Sequence, residues 1–166
     1  MHHSVVSSAE SITDTSFMNP LFKSKVEELT KHFHSKKITI PEFKRMKSEK
    51  KDIVIIDVRE EEEFRVSHLL GALNVGYKKF DLSDFLAKIP RTKKIVAYCS
   101  VGYRSGEIAD KLKKEGYEVH NLLGGLFEWI NQGHEVYTDD LKKIKRIHTY
   151  NRSWGQWVSA PYEKIY

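Results

Sequence analysis

The segment Ile95-Val96-Ala97-Tyr98-Cys99-Ser100-Val101-Gly102-Tyr103-Arg104-Ser105-Gly106 decides the fold, because an apolar run in it gives way abruptly to glycine and polar residues. The run from Ile95 to Tyr98 is apolar on both faces, which is typical of a buried strand in a parallel sheet. A second such run is Asp52-Ile53-Val54-Ile55-Ile56-Asp57, and a weaker one extends from Tyr117 to Leu122. These three runs predict the strands of a central sheet.

Helix-like segments separate the predicted strands. They lie at 60–65, 82–89, 105–114 and 126–131. Strands that alternate with helices at this spacing indicate an α/β fold with an open, mostly parallel sheet and helices on both faces. A short strand at 38–40 and a helix that starts at Pro41 come before the first long run, so we place this domain at 35–137.

The two ends of the chain differ from this domain in composition. Residues 1–22 are rich in Ser and Thr and are predicted to be a flexible leader, and apolar residues at helical spacing predict an N-terminal helix at 23–34. Residues 138–166 form a basic and aromatic C-terminal extension, whose aromatic side chains we expect to pack on the domain. The alternative is an arm that docks a partner protein or a second copy, because aromatic residues favour interfaces.

The composition excludes several classes of protein. With 40% apolar residues among 166, the chain can bury a real core, and no stretch approaches the roughly 18 apolar residues that span a bilayer. The lack of an export signal favours the cytoplasm. A single cysteine excludes internal disulfides and multi-cysteine metal clusters, and we predict no metal and no cofactor. The basic flanks carry no recognition motif, so a nucleic-acid partner is not favoured.

Cys99 follows a predicted buried strand and precedes a predicted helix. In an open parallel sheet, ligands bind at the carboxyl ends of the strands. A loop that turns into a helix there directs main-chain N–H groups inward, and the helix dipole adds partial positive charge. Gly102 and Gly106 allow backbone conformations that other residues resist. Such surroundings favour the thiolate, and Arg104 adds a fixed positive charge suited to an anion, so we interpret Cys99 as a reactive thiolate rather than a small buried hydrophobe.

Three motifs lie in order along residues 35–137. They are Asp57-Val58-Arg59 with Glu63-Phe64 and Ser67-His68-Leu69-Leu70-Gly71-Ala72; Cys99 to Ser105, which reads C-x-x-G-x-R-S; and Leu123-Gly124-Gly125-Leu126 with Trp129. Together they resemble the rhodanese family, specifically its single-domain sulfurtransferases. Ser67 and Leu70 stand where that family usually has Gly and Pro, and these departures affect local turn geometry only.

The resemblance implies a rhodanese-like fold and transfer of a sulfane sulfur. The Cys99 thiolate would attack the outer sulfur of a donor such as thiosulfate, release sulfite and carry a persulfide, which cyanide or a thiol acceptor then discharges. Arg104 would orient the anionic donor. The loop residues Ser100, Val101, Gly102, Tyr103 and Ser105 would bind it, with main-chain amides that stabilise the persulfide. Because Cys99 is the only thiol, the acceptor must come from outside the chain.

Other residues and other functions remain open at this point. Asp57 and Arg59 are expected to form a supporting ion pair, and His68 is expected to support the scaffold. A rhodanese-like sulfur carrier or protein-interaction module is the main alternative, with an acceptor protein docked on the C-terminal extension. A phosphatase or arsenate reductase is less favoured, because related phosphatases carry C-x5-R, whereas Cys99 and Arg104 are spaced as C-x4-R.

Overall fold

The computed structural model describes residues 18–49 and 52–166. The helices are α1 (Pro20–Thr30), α2 (Ile40–Ser48), α3 (Glu61–Val66), α4 (Leu82–Lys88), α5 (Tyr103–Lys114), α6 (Gly125–Asn131) and α7 (Arg152–Gly155). The strands are β1 (Lys36–Ile38), β2 (Ile53–Asp57), β3 (Leu73–Asn74), β4 (Lys94–Tyr98), β5 (Glu118–Leu122), β6 (Val136–Tyr137), β7 (Lys143–Ile144), β8 (Arg146–His148) and β9 (Glu163–Ile165). Within these ranges, no helix is both long and apolar enough to cross a membrane.

Five strands form one sheet in the order β1-β5-β4-β2-β3, and all neighbouring pairs in it are parallel. The predicted α/β class with a mostly parallel sheet is therefore confirmed. Asp57, the last residue of β2, is in register with Tyr98, the last residue of β4. The carboxyl ends of these two central strands are level, and Cys99 is the first residue beyond that edge.

The side chains of β4 alternate between two cores, one on each face of the sheet. Ile95 and Ala97 pack with buried residues of α4 and α5, whereas Val96 and Tyr98 pack with buried residues of α1, α2 and α6. All four side chains are fully buried. This double burial explains why the strand is a continuous apolar run rather than an alternating one.

The N-terminal helix begins earlier than the sequence predicts. Helix α1 begins at Pro20, and the Asn19 side chain accepts hydrogen bonds from the first two free main-chain N–H groups and caps it. Phe22 is fully buried, so the last turn of the predicted leader at 1–22 belongs to the folded domain. The remainder of that leader, residues 1–17, lies outside the described residues.

The first strand also ends earlier than predicted. Strand β1 ends at Ile38 instead of reaching Ile40, because Thr39 caps α2 and the hydroxyl of Thr39 accepts a hydrogen bond from the Glu42 amide at 3.3 Å. The short edge strand β3 was not predicted, since two residues are too few to form a pattern.

The C-terminal extension folds back on the domain. Strand β6 pairs with β7, and β8 pairs in parallel with β9. Ile147 and Val158 are buried, and Trp157 stacks on Phe22 of α1 with the ring centroids 5.5 Å apart. The extension therefore packs aromatic and aliphatic side chains into the core on the α1 side of the sheet.

Candidate active site

Cys99 lies between β4 and α5, at the floor of a cleft of about 360 Å³. Only 1% of the residue is exposed, yet it is one of the residues that line this cleft. The main-chain amide of Gly102 donates a hydrogen bond to the Cys99 sulfur at 3.1 Å. Gly102 is the N-cap of α5, a helix of 12 residues, so the sulfur lies at the positive end of the helix dipole.

Gly102 is required at its position by its backbone conformation. Its φ is +128°, and a Cβ there would also lie 3.3 Å from the Thr30 side chain. The Gly102 carbonyl accepts a hydrogen bond from the Asn121 side chain at 2.9 Å. The turn that directs the Gly102 amide at the sulfur is therefore fixed by a hydrogen bond from Asn121 of β5.

Ser105 contacts the sulfur from the protein interior. Its hydroxyl is fully buried and lies 2.7 Å from Asn121 Oδ1 and 3.4 Å from Cys99 Sγ. A hydroxyl has a single proton, and the shorter contact with Asn121 is the better hydrogen bond. Ser105 thus positions the sulfur and the loop, rather than lining the cleft as a substrate-binding residue would.

The main-chain amides that were expected to surround the sulfur are only partly directed at it. Within the described chain, the Gly102 amide donates to the Cys99 sulfur, and the Ser105 hydroxyl lies 3.4 Å from it. Ser100 and Val101 line the cleft instead, together with Tyr103. The Cys99 sulfur is therefore stabilised by one main-chain amide, that of Gly102, and by the N-terminus of α5.

Two main-chain hydrogen bonds connect the start of α6 to the cysteine loop. The Leu126 amide donates to the Cys99 carbonyl at 2.9 Å, and the Phe127 amide donates to the Ser100 carbonyl at 3.1 Å. This approach is possible because Gly125 has no Cβ. A Cβ there would lie 2.4 Å from the Cys99 carbonyl oxygen, at a φ of +55°.

Gly106 has a different role from the one the sequence suggested. Its backbone is ordinary helix, but a Cβ at Gly106 would lie 2.3 Å from the Phe33 ring. The missing side chain therefore makes room for Phe33, which follows α1 and packs on α5. Close packing, rather than an unusual conformation, requires glycine here.

Arg104 is already paired with a carboxylate that the sequence did not single out as its partner. Its guanidinium donates to Glu63 at 2.8 and 2.9 Å and to the Ser100 hydroxyl at 3.2 Å. Burial alone would lower the pKa of Arg104, but the hydrogen bonds with Glu63 and the nearby Cys99 sulfur raise it. Arg104 is therefore a permanent cation beside the sulfur, and its charge is balanced by Glu63.

Asp57, Arg59 and His68 support the site without lining the cleft. Arg59 and Asp57 form a fully buried ion pair at 2.7 Å, and Arg59 also donates to the Ser67 carbonyl. His68 Nδ1 is 2.9 Å from the Phe64 carbonyl oxygen, and the His68 ring stacks on that of Phe64. These contacts tie the segment after β2 to α3, which positions Glu63.

The walls of the cleft are mostly apolar and aromatic. The lining residues are Leu29, Glu60, Tyr77, Lys78, Cys99, Ser100, Val101, Tyr103, Arg104, Tyr150 and Trp154. The Tyr77 hydroxyl donates to Glu107 at 2.7 Å, and this hydrogen bond raises the pKa of Tyr77 to about 12. Tyr77 is therefore a neutral residue of the cleft wall at neutral pH.

Sequence reasoning missed several residues that build this site. Asn121 had a recognisable signal, since it is a polar residue inside an apolar strand, and such residues are buried only when hydrogen-bonded. Tyr150 and Trp154 gave no local signal beyond the aromatic content of the extension. Their place in the cleft depends on how the extension folds back.

The comparisons with known proteins agree with this architecture. Residues 39–132, more than half of the chain, match the Rhodanese-like domain family. The chain belongs to the rhodanese family. The thiosulfate sulfurtransferase GlpE of Coxiella burnetii is 35% identical over 81 residues, which cover 48% of this chain and 74% of that protein.

Other relatives carry names that describe a different activity. A tRNA uridine(34) hydroxylase of the Aster yellows witches'-broom phytoplasma is 34% identical over 86 residues, covering 49% of this chain and 28% of that protein. Among solved structures, a rhodanese-like domain protein from Staphylococcus aureus has a TM-score of 0.55 and 26% identity, covering 63% of this chain and 98% of that one. The C-terminal extension lies beyond the matched rhodanese segment.

The Glu63–Arg104 pair should make the stability of this rhodanese-like domain depend on acid pH. Burial alone would raise the pKa of Glu63, but Arg104 and Arg59 together lower it below its ordinary 4.5. The pair therefore stabilises fully above about pH 4.5 and loses its contribution as the pH falls through the lower folded-state pKa. We expect Glu63→Gln to reduce the free energy of unfolding at pH 7 by about 3 kcal/mol, and this difference to shrink in acid.

Urea unfolding of the wild type and Glu63→Gln from pH 7 to pH 3 measures this effect. Glu61→Gln is the matched control, because the Glu61–Arg65 pair is on the same helix but exposed, and such pairs contribute little. An equal loss in both variants, or a Glu63→Gln deficit that persists unchanged at pH 3, would contradict the assignment.

Proposed function

We propose that this rhodanese-family protein is a sulfurtransferase that moves a sulfane sulfur through a persulfide on Cys99. The donor is a compound such as thiosulfate, and the acceptor is cyanide in an assay or a thiol. The single observation that carries the proposal is the hydrogen bond from the Gly102 amide to the Cys99 sulfur, at a helix N-terminus and at the floor of a cleft. This arrangement favours negative charge on the Cys99 sulfur, which carries it before the first transfer and again after the second.

The reaction consists of two displacements. In the first, the Cys99 thiolate attacks the outer sulfur of thiosulfate, the S–S bond of the donor breaks, and its electron pair leaves with sulfite. In the second, cyanide or a thiolate attacks the outer persulfide sulfur, and the electron pair of that S–S bond returns to Cys99. Charge is conserved in both steps, and no oxidant or reductant is needed.

Loop length supports sulfur transfer better than phosphate chemistry. Cys99 and Arg104 are spaced as C-x4-R, one residue shorter than the C-x5-R of related phosphatases. Arg104 is also held by two hydrogen bonds to Glu63. An acceptor protein that docks on the C-terminal extension remains a proposal for how the thiol would be presented.

Incubation with thiosulfate and cyanide tests the function. We expect thiocyanate to form continuously, with no phosphate released from an aryl phosphate ester under the same conditions. Phosphate release without thiocyanate would overturn the proposal. Thiocyanate from a persulfide donor but none from thiosulfate would support sulfur transfer and reject thiosulfate as a donor.

A further inference from the structure

Two residues of the C-terminal extension form part of the wall of the Cys99 cleft. Tyr150 and Trp154 line the same cavity as the cysteine, although the rhodanese match covers only residues 39–132. The segment that carries them lies outside the matched rhodanese residues and contributes to the wall of the Cys99 cleft.

The structure fixes this addition firmly to the domain. The Ser67 hydroxyl donates to the Arg146 carbonyl at 2.6 Å, and Ile147 is fully buried. After Tyr150 and Trp154 in the sequence, the Trp157 carbonyl accepts a hydrogen bond from the Asn131 side chain at 2.8 Å. The segment that contains Tyr150 and Trp154 is thus anchored at both ends.

Tyr150 has an unusual backbone conformation for a residue with a side chain. Its φ is +71°, and its amide donates to His148 Nδ1 at 3.0 Å. Such a conformation costs on the order of 1–3 kcal/mol and persists only where the surroundings impose it. The turn aims the ring at the cleft, and the Asn151 side chain then caps α7 and places Trp154 beside it.

Tyr150 also covers the positive charge next to the sulfur. The guanidinium carbon of Arg104 lies 5.4 Å from the centre of the Tyr150 ring, while Glu63 accepts two hydrogen bonds from the same group. An anion that approached Arg104 would have to compete with a buried carboxylate, whereas Lys78 is a second cation in the cleft wall. An apolar or aromatic group would instead meet Leu29, Val101 and the rings of the wall.

From this arrangement we infer that Tyr150 and Trp154 are specificity-determining residues, which make the cleft prefer a small sulfur donor that carries an apolar or aromatic group. The inference rests on the proposed sulfur transfer and names its substrate class. A cavity of about 360 Å³ is at the lower end of the range of roughly 300–1,000 Å³ for pockets that hold small organic ligands. Sulfur leaves such a donor as it leaves thiosulfate: from a thiosulfonate, Cys99 takes the outer sulfur and a sulfinate departs with the electron pair.

Benzenethiosulfonate and methanethiosulfonate test the inference, because they carry the same charge and reacting group and differ only in the apolar part. Each kcat/KM is divided by the rate of that donor with free cyanide, which removes the difference in intrinsic reactivity. We expect the wild type to prefer the benzene compound by about 10-fold or more, since apolar contacts in a pocket discriminate to this extent. Tyr150→Ala and Trp154→Leu should reduce the ratio to below about 3-fold.

Two further variants separate recognition from folding. Tyr150→Phe keeps the ring and should keep the preference. Tyr166→Ala removes an aromatic residue of the same extension that is half-exposed and not part of the cleft wall, and should also keep it. Equal normalised use of both donors by the wild type, or a ratio that Tyr150→Ala and Trp154→Leu leave unchanged, would overturn the inference while the proposed function stands. Absence of sulfur transfer from every donor would overturn both.

Discussion

Replacing Cys99 with serine should lower thiosulfate:cyanide sulfur transfer by about 10³-fold or more, because the nucleophile carries the covalent intermediate and losses of this kind are very large. Cys99 is the only cysteine of the chain, so no other thiol can take over. The hydroxyl of serine can use the Gly102 amide that now binds the sulfur. The fold should therefore survive the change.

The steady-state rate of thiocyanate formation measures this loss, and thermal unfolding reports on the fold. Ser83→Ala is the control, because Ser83 is exposed on α4 and is not part of the cleft wall. We expect Ser83→Ala to retain the activity of the wild type. Activity of Cys99→Ser close to that of the wild type would show that sulfur passes through another group.

Replacing Gly125 with alanine should destabilise the protein by about 2–5 kcal/mol, because it adds a steric clash to an unfavourable backbone conformation. The new Cβ would lie 2.4 Å from the Cys99 carbonyl oxygen and 2.7 Å from the Ser100 carbonyl carbon. Both are main-chain atoms, so the cysteine loop itself must move. We expect activity to fall by at least 10²-fold, since displacement of a reacting group by about 1 Å has this effect.

Gly133→Ala is the matched control for Gly125→Ala, because it tests the effect of the backbone conformation without the steric clash. Gly133 has a φ of +85°, yet nothing lies within 4 Å of the position of a Cβ there. The free energy of unfolding of this variant should fall by only roughly 1–2 kcal/mol, which is the cost of a left-handed backbone conformation for a residue with a side chain. The variant should keep its activity. Equal effects of Gly125→Ala and Gly133→Ala on unfolding and on activity would show that the contact between α6 and the cysteine loop is unimportant.

The sequence predicts the parts of this protein that depend on neighbouring residues. The strand before Cys99 is apolar from Ile95 to Tyr98 because both its faces are buried there, and this pattern identifies β4 and β2 directly. The loop between β4 and α5 is also predicted from neighbouring residues, because the apolar run ends abruptly at glycine and polar residues. Element boundaries were less accurate where one side chain decides them, as Thr39 does by capping α2.

The sequence does not reveal contacts between distant segments. Glu63 and Arg104 are 41 residues apart, and their pairing depends on the placement of α3 against α5. Tyr150 is farther still from the cysteine, and only the folded extension brings it over Arg104. The partner of Arg104 could not be predicted for this reason, because a charge in the sequence carries no information about its partner.

Mass spectrometry of the intact protein and of tryptic peptide 95–104, after incubation with thiosulfate and removal of excess donor, tests the central claim most directly. The account predicts that the mass increases by one sulfur atom, that the added atom is on Cys99, and that cyanide removes it and forms thiocyanate. A folded protein whose Cys99 peptide gains no sulfur from thiosulfate, from a thiosulfonate or from a persulfide donor would contradict the account.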